Sequence, residues 1–322
     1  MKTSPKPGAT GRKAAGKKLK IVLFTGYACN NNCVFCIDAD KRELPQKSTA
    51  QLLREAARAA AGADILEIIG GEATIRPDFA RVVAAAKRLG IPEVICATNG
   101  RIFSDLAAAR RILASGIDSL VFSVHGPDAR VHDALTRSPG SFAQLRRGLD
   151  NLRELGFKSV NGNTTVVKRN MASLPRIADF YIKHGVPNVE YIFVDPNYGG
   201  AKNAFDALVP RISVAAPYMR RALAAGRRAG FDQWKARYVP LCHFKDCLKQ
   251  ISETNERGLF QTEHWAPDFT NKDAIASRAA VGRSKTARCR GCALYDECEG
   301  IWNEYLARYG DAELKPVRRR PA

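Results

Sequence analysis

The chain has 322 residues, of which 45% are hydrophobic and 26% are charged, an ordinary composition for a globular protein. This composition excludes collagen-like, low-complexity and disordered chains, and the length predicts about two domains. No apolar run approaches the roughly 18 residues of a membrane span, and no secretory signal is visible. We therefore expect a cytoplasmic protein without membrane contact.

The formal net charge is +19, from 51 Lys and Arg against 32 Asp and Glu. Much of this excess lies at the two ends. Residues 1–20 contain seven Lys and Arg and no acid, and residues 315–322 contain four. The rest of the chain is only moderately basic, so the charge allows a nucleic-acid partner but does not favour one.

The elements follow a strand–helix alternation. Residues 1–20 lack hydrophobic periodicity, and we expect them to form a basic disordered tail. Apolar or β-branched runs then predict six strands: Ile21–Thr25, Ile65–Ile69, Glu93–Ala97, Ser119–Val124, Val160–Val167 and Val189–Val194. Helical patterns predict helices over Thr49–Ala61, Asp78–Leu89, Ser104–Ala114, Ser141–Leu155, Leu174–His184 and Val214–Ala229. Alternation of this kind is typical of a parallel sheet with helical crossovers.

Six units are too few for a closed eight-unit barrel. The pattern therefore predicts an α/β fold, a partial (β/α)6 barrel, with a smaller irregular C-terminal domain. Polar and glycine motifs follow the first four strands: Cys29–Cys36, Gly70–Glu72, Thr98–Gly100 and Ser123–Gly126. Because the carboxyl ends of parallel strands meet at one edge, we expect the site there.

Three of the nine cysteines form a C-x3-C-x2-C motif, Cys29-Asn-Asn-Asn-Cys33-Val-Phe-Cys36. Clustered cysteines in a chain without a secretory signal favour metal ligands over disulfides. Three thiolates on one tight loop suit three corners of a [4Fe–4S] cluster and leave the fourth iron open. The alternative is a zinc knuckle or a chance clustering.

The cysteine motif, together with Gly70-Gly71-Glu72 after the second strand, resembles the radical S-adenosylmethionine (SAM) superfamily over roughly residues 20–200. The resemblance implies a partial barrel of the radical SAM type. It also implies that Cys29, Cys33 and Cys36 hold a [4Fe–4S] cluster whose open iron binds SAM. Phe35 would meet the adenine through its backbone, and Gly70, Gly71 and Glu72 would bind the SAM amino group. Members of the superfamily cleave SAM reductively to a 5′-deoxyadenosyl radical that abstracts hydrogen from a substrate.

Four further strand-end residues are candidates for SAM binding: Thr98, Ser123, His125 and Asn163. Each has a structural alternative, such as a turn at the strand end for Thr98 or a hydrogen-bonded core histidine for His125. The fifth strand lacks the G-x-I-x-G-x-x-E pattern found in part of the superfamily. Asn163 is therefore chosen by position alone. Cys96 lies inside an apolar strand and is expected to be buried.

A second cysteine cluster, C-x2-C-x5-C, resembles part of the SPASM or twitch extension, which holds auxiliary [4Fe–4S] clusters in radical SAM enzymes. Its members are Cys289, Cys292 and Cys298. The full pattern has a fourth cysteine where this chain has Trp302. The resemblance implies one auxiliary cluster, with Cys242 as the fourth ligand and Cys247 as its substitute. A zinc site with four cysteines is the alternative. Charged residues near Cys247, such as Lys249, Glu253 and Glu256, are expected to be solvated.

Taken together, residues 1–20 are expected to form the tail, 21–210 the radical SAM core and 211–322 the auxiliary-cluster domain. The resemblance implies an oxidoreductase or maturase that acts on a peptide or a small molecule, served by a reducing partner such as flavodoxin or ferredoxin. One alternative is an RNA- or nucleoside-modifying radical SAM enzyme. A non-catalytic iron–sulfur electron-transfer protein is disfavoured, because a carrier needs no open iron.

Overall fold

The computed structural model describes residues 16–318. The strands are β1 (Lys18–Phe24), β2 (Ile65–Ile69), β3 (Glu93–Thr98), β4 (Ser119–Ser123), β5 (Val160–Val166), β6 (Val189–Phe193), β7 (Lys235–Arg237), β8 (Phe260–Trp265), β9 (Thr270–Asn271), β10 (Arg283–Ser284) and β11 (Ile301–Trp302). In this part of the chain, nine strands form one sheet in the order β7-β6-β5-β4-β3-β2-β1-β8-β9. Every neighbouring pair is parallel except β8 and β9. The remaining two strands, β10 and β11, form an antiparallel pair.

The helices are α1 (Thr49–Ala60), α2 (Phe79–Arg88), α3 (Leu106–Leu113), α4 (Ala129–Thr136), α5 (Ser141–Glu154), α6 (Lys168–Met171), α7 (Leu174–Lys183), α8 (Gly199–Asn203), α9 (Phe205–Leu208), α10 (Ile212–Arg228), α11 (Ser252–Leu259), α12 (Ala274–Ser277) and α13 (Asn303–Tyr309). Ser48 caps α1 in a capping box with Gln51, which explains where this helix begins. None of the helices in residues 16–318 is long and apolar enough to cross a membrane.

The α/β prediction is confirmed, since all six predicted strands appear as β1–β6 and pair in chain order. All six predicted helices are present as well, as α1, α2, α3, α5, α7 and α10, and the other seven helices of residues 16–318 were not predicted. The first strand begins three residues earlier than predicted, because Lys18, Leu19 and Lys20 pair with residues 260–262 of β8. These residues of the predicted tail are therefore part of the sheet. Residues 1–15 of that tail lie outside the described residues.

In the described residues after residue 210, five strands were not predicted: β7, β8 and β9 join the large sheet, and β10 and β11 form the separate pair. Their sequences are short or mostly polar, such as Phe-Gln-Thr-Glu-His-Trp for β8, and they lack the apolar run that marks the other six. Pairing with β1 explains why a polar sequence adopts a strand there. The division at residue 210 stays a prediction.

The sheet curls into a partial barrel. Six strand spacings separate β1 from β7, which would place them about 29 Å apart in a flat sheet. Yet Lys20 on β1 and Arg237 on β7 interact electrostatically. The pKa of Lys20 is raised overall. Burial lowers this pKa, but the Glu67 carboxylate raises it by more, and the Arg237 guanidinium lowers it. The two strands therefore face each other across the barrel interior.

Alternation along the strands separates the helix-packed face from this interior. In β5, Gly162 packs against Tyr181 of α7, whereas Asn161, Asn163 and Thr165 are half-buried on the opposite face. Cys96 is fully buried on the helix-packed side, as expected. The interior is therefore lined by half-buried, mostly polar side chains on the β5 side, and it opens at the carboxyl ends of the strands.

Candidate functional site

The first cysteine cluster lies on the loop that follows β1, at the carboxyl edge of the sheet. Cys29, Cys33 and Cys36 are all half-buried. Burial raises the pKa of each thiol, to about 12 for Cys33. A thiolate on this loop therefore needs a cationic partner, which a bound iron cluster supplies. The backbone N–H of Asn31 already donates to the sulfur of Cys29 at 3.3 Å. The donor set fits a cluster with three protein ligands.

Three side chains from two other segments fix the turn between Cys29 and Cys33. Arg42 donates to the backbone carbonyl of Asn31 at 2.9 Å, and Arg101 donates to the Asn31 side-chain oxygen at 2.8 Å. The Asn99 side chain donates to the Asn30 side-chain oxygen at 2.6 Å. The guanidinium of Arg42 also lowers the pKa of all three thiols. Hydrogen bonds at Asn30 and Asn31 thus fix the asparagine run as a structured turn.

Gly70 and Gly71 bring the end of β2 into backbone contact with the loop that leads to Cys29. The N–H of Gly71 donates to the carbonyl of Gly26 at 2.9 Å, and the N–H of Glu72 donates to the carbonyl of Ala28 at 2.8 Å. A Cβ atom on Gly70 would lie 2.6 Å from the Gly26 carbonyl oxygen, and one on Gly71 would overlap the Ala28 carbonyl. Only glycine allows this approach.

Glu72 is 3% exposed, and donors of this chain hold its carboxylate. The hydroxyl of Thr98 donates to it at 2.8 Å, the N–H of Asn99 at 2.6 Å, and the N–H of Thr74 at 3.3 Å. Burial raises the pKa of Glu72, and these hydrogen bonds lower it. The Thr74 hydroxyl donates as well, and its bond reaches Oε1, as do those from the Thr98 hydroxyl and the Thr74 N–H. The bond from the Asn99 N–H reaches Oε2, which can still accept a hydrogen bond from a ligand.

The other predicted strand-end residues separate into two groups. Ser123 and Asn163 are half-buried and directly opposite each other in the β4–β5 register, on the interior face. Thr98 is buried, and its hydroxyl is bonded to Glu72 and to the N–H of Gly100. Thr98 therefore acts on the site through Glu72, whereas Ser123 and Asn163 line the interior.

His125 is 5% exposed and has the contacts of a structural histidine. Its Nδ1 accepts the N–H of Thr165 at 3.3 Å, and Asn170 donates to its backbone carbonyl at 2.9 Å. The ring of Phe35 packs edge-on against it, with 4.7 Å between centroids. Burial, followed by the neighbouring His132, lowers the pKa of His125 to about 3. The imidazole is thus neutral, and it supports Phe35 inside the cysteine loop.

A second glycine pair, Gly199 and Gly200, was not recognised from the sequence. The N–H of Gly200 donates to the carbonyl of Cys36 at 2.8 Å. Cβ atoms on Gly199 and Gly200 would overlap the carbonyls of Cys36 and Val34, respectively. Gly199 also has a φ of +53°, which favours glycine. The loop of the first cluster is therefore held between glycine pairs that follow β2 and β6. The Gly-Gly dipeptide after β6 was the available signal.

Cys242 lies within electrostatic range of the three thiols of the second cysteine cluster. Burial raises the pKa of Cys242, a backbone hydrogen bond involving Lys315 lowers it, and three neighbouring thiols raise it further. Those three belong to Cys298, Cys289 and Cys292. Backbone N–H groups of Gly300 and Val317 donate to the sulfurs of Cys298 and Cys292, each at 3.3 Å. Backbone donors to sulfur are a feature of protein-bound iron–sulfur clusters.

Cys247 lies in a different environment, near charged side chains of α10. Burial raises its pKa, and the guanidiniums of Arg220 and Arg227 lower it. In residues 16–318, no group of three or more His, Cys, Asp or Glu side chains is arranged so that it could hold a metal ion.

A network of buried charges lies between the barrel and the second cysteine cluster. Arg283 is fully buried and donates to Glu253 at 2.9 Å and to Glu299 at 3.0 Å. Glu256 pairs with Arg237 and Arg278. The expectation of solvated side chains was therefore wrong for Glu253 and Glu256, because arginines distant in sequence pair with them. It was correct for the exposed Lys249.

Tyr238 and Trp302 form an aromatic pair next to this network. Trp302, which stands where a fourth SPASM cysteine was expected, is buried in β11. The Tyr238 ring packs edge-on against it, with 4.9 Å between centroids. Tyr238 has a φ of +65°, a rare conformation for a residue with a side chain, and its N–H donates to Glu253. At this position the chain thus has a packing residue in place of a thiol.

Residues 23–181 match the family model described as the Radical SAM superfamily. The mycofactocin maturase MftC of Mycobacterium tuberculosis is 33% identical over 192 residues, which cover 57% of this chain and 47% of the relative. The AdoMet-dependent heme synthase of Methanosarcina barkeri is 29% identical over 178 residues, which cover 53% and 49%. The chain thus spans about half the length of these curated relatives.

Solved structures extend the likeness over most of the chain. SuiB of Streptococcus suis, solved with bound S-adenosylmethionine, superposes with a TM-score of 0.65 at 16% identity, over 95% of this chain and 77% of that chain. The same protein has also been solved bound to the precursor peptide SuiA. At this identity the likeness shows the fold alone. The family match covers the segment that holds the cysteine loop and the glycine–glutamate strand end, and it identifies residues 23–181 as a domain of the radical SAM superfamily.

Proposed function

We propose that this chain is a radical SAM enzyme that cleaves S-adenosylmethionine reductively and abstracts hydrogen from a peptide or small-molecule substrate. The observation that carries the proposal is the junction between two strand ends. Gly70–Glu72 after β2 packs backbone to backbone on the loop that leads to Cys29, and Glu72 is fixed beside Asn99. A buried carboxylate therefore lies next to the three-thiol loop. Recognition of the amino group of SAM bound to an open iron requires a carboxylate in such a position.

Cys29, Cys33 and Cys36 would hold the SAM-binding [4Fe–4S] cluster. When bound, the cluster and SAM supply one-electron cleavage of a sulfonium bond and so a 5′-deoxyadenosyl radical. Glu72 and the carbonyls of Gly70 and Gly71 bind the SAM amino group. The side chains of Ser123 and Asn163, opposite each other on the interior face, supply polar contacts to the rest of SAM.

The remaining residues of this site position these groups. Thr98 and Asn99 hold the Glu72 carboxylate in one orientation. Arg42 and Arg101 hold the asparagine turn and keep a positive charge near the thiolates, which a reduced, more negative cluster requires. His125 supports Phe35, whose backbone would meet the adenine of SAM. The half-buried interior shields the reacting atoms from bulk water.

We further propose one auxiliary [4Fe–4S] cluster, with Cys242 as the fourth ligand beside Cys289, Cys292 and Cys298. The effect of the three other thiols on the pKa of Cys242 and the backbone donors to Cys242, Cys292 and Cys298 support this assignment over Cys247. Residues 21–210 would then form the radical SAM core and 211–322 the auxiliary-cluster domain. The reaction belongs in the cytoplasm, where thiols stay reduced, with flavodoxin or ferredoxin as electron source.

A peptide substrate is favoured over RNA. The fold neighbour SuiB has been solved with a bound precursor peptide, and much of the basic excess of this chain lies in its two ends.

Iron and sulfide per chain after anaerobic reconstitution test this proposal. We expect about eight irons in the wild type and about four in the Cys29→Ala/Cys33→Ala/Cys36→Ala variant, since two cubanes become one. With dithionite and SAM, only the wild type should release 5′-deoxyadenosine and methionine. If the wild type contains about four irons and bound zinc and the variant contains no iron, the second site is a structural zinc site and not an auxiliary cluster. No iron in either protein would overturn the proposed function.

A further inference from the structure

An exposed basic groove lies beside the second cysteine cluster and has no part in the function proposed above. It is a cavity of about 360 Å³ between α10 and the turns of residues 241–250. Its lining includes Arg220, Arg221 and Arg227 on one side and Cys247 and Gln250 on the other. The opposite face of α10, with residues such as Met219 and Leu223, is fully buried. The arginines thus lie on the free face of an anchored helix.

The charge of this surface is mostly positive. The exposed ionisable side chains of α10 and residues 241–250 comprise six cations and one acid. The cations are Arg220, Arg221, Arg227, Arg228, Lys245 and Lys249, and the acid is Asp246. Arg220 approaches Asp246 at 3.4 Å, but both side chains are largely exposed, so solvent screens this pair. Most of the positive charge is therefore free to attract an anionic partner.

The groove is continuous with the segment that carries Cys242. Helix α10 packs against Leu241–His243, and the next turn, Lys245–Gln250, forms the far wall of the groove. His243 is in turn hydrogen-bonded to the backbone carbonyl of Glu313 at 2.8 Å. The segment that follows Glu313 contacts the cysteines, since the N–H of Val317 donates to the sulfur of Cys292. A partner seated in the groove would thus contact the turns that flank Cys242.

We propose that the α10 groove docks an acidic electron-carrier protein, and that the auxiliary cluster is the point where its electron enters. The proposal rests on the proposed function, which places a cluster at Cys242. Each transfer moves one electron from the reduced carrier to the oxidised cluster, and no bond or proton moves. A carrier protein fits better than RNA, because the cationic surface is a compact groove within two helical segments and not an extended stripe.

The test uses charge reversal at two adjacent arginines of the groove, Arg220→Glu/Arg221→Glu. The matched control is Arg110→Glu/Arg111→Glu, two adjacent exposed arginines at the end of α3. The probe is an acidic flavodoxin, and its binding to reconstituted protein is measured calorimetrically at several NaCl concentrations. We expect the groove variant to bind at least about tenfold more weakly and with a shallower dependence on salt, and the control to bind within about twofold of the wild type.

A second readout follows reduction of the clusters by absorbance. Reduced flavodoxin should reduce the groove variant at least about tenfold more slowly, whereas dithionite, which needs no docking surface, should reduce both variants and the wild type equally. If the reversed pair disturbs folding, detected as a lower melting temperature, Arg220→Gln/Arg221→Gln gives the same comparison with a smaller expected loss.

Equal binding of flavodoxin by wild type and groove variant would overturn the proposal, as would an equal loss in the control. The proposal would also be overturned if the groove variant lost binding to a single-stranded RNA but bound flavodoxin as tightly as the wild type does. Flavodoxin binding does not require a second cluster. A result of about four irons per wild-type chain would therefore overturn the proposed auxiliary cluster but not the proposed docking site. Salt-dependent flavodoxin binding would then still report whether the groove docks the carrier.

Discussion

The Glu72 carboxylate accepts the backbone N–H of Asn99 at 2.6 Å, which joins the end of β2 to the end of β3. The same Asn99 holds the asparagine turn of the cysteine loop through its side chain. One residue therefore links the buried carboxylate to the three-thiol loop, so that neither group can move without the other. Geometry of this kind is typical of a site that must be ordered before its ligand arrives.

Replacing Thr98 by valine should weaken SAM binding without removing iron. The substitution keeps the shape of the side chain but removes its 2.8 Å hydrogen bond to Glu72. One such bond is worth about 0.5–1.5 kcal/mol, so we expect SAM affinity to fall about three- to tenfold. Equilibrium binding of SAM and iron content are the measurements, with the exposed Thr270→Val as control. Unchanged SAM affinity in Thr98→Val would show that Thr98 does not position Glu72.

Adding a methyl group at Gly200 should expel iron from the first cluster. Its Cβ would overlap the Val34 carbonyl, and overpacking of this kind costs about 1–3 kcal/mol. The matched control is Gly62→Ala, where a Cβ meets nothing within 4 Å. We expect the variant Gly200→Ala to bind less iron than the control after identical reconstitution. Full iron content in Gly200→Ala would mean that the loop tolerates displacement from α8.

The two C-terminal cysteines at 242 and 247 should differ in their effect on iron content. Cys242 is grouped with three thiols, whereas Cys247 lies among arginines of α10. Cys242→Ser should therefore lose most of the second cluster, about four irons per chain, and Cys247→Ser should lose none. Iron and sulfide analysis of both variants on the Cys29→Ala/Cys33→Ala/Cys36→Ala background isolates this site. The reverse result would make Cys247 the ligand.

Acid should destabilise the fold through His125. Burial lowers its pKa to about 3 in the folded chain, from a model-peptide value near 6.5. As pH falls below about 6.5, the unfolded chain gains a proton that the folded chain does not. The stabilisation is therefore complete above this pH and is lost as pH falls, by about 1.4 kcal/mol at about pH 5.5.

Urea unfolding of the wild type and His125→Gln at about pH 7.5 and about pH 5.5 checks this expectation. The glutamine cannot titrate, so the loss of stability between the two pH values should be smaller in the variant by about 1.4 kcal/mol. An identical loss in both proteins would mean that His125 is solvated in the folded chain.

Sequence alone predicted the parts of this fold that hydrophobic patterns encode. Strands β1–β6 have apolar or β-branched residues on the face that helices cover, and the cysteine loop and Gly70–Glu72 follow two of these strands. The polar strand β8 has no such run, since its place depends on pairing with β1 across more than 200 residues. The role of Gly199 and Gly200 depends in the same way on a loop 160 residues earlier. The burial of Glu253 depends on Arg283, which no local pattern reveals.

The pairing of β8 with β1 has a consequence for the order of folding. Lys18–Leu23 lies between residues 65–69 on one side and 260–265 on the other. During synthesis, β1 therefore presents an unpaired edge until almost the whole chain has been made, and an open edge can pair with other chains. Contacts across such long sequence separations also slow folding. A fragment that stops at residue 210 would keep this edge open permanently, and we expect it to aggregate even though it contains the complete three-cysteine loop.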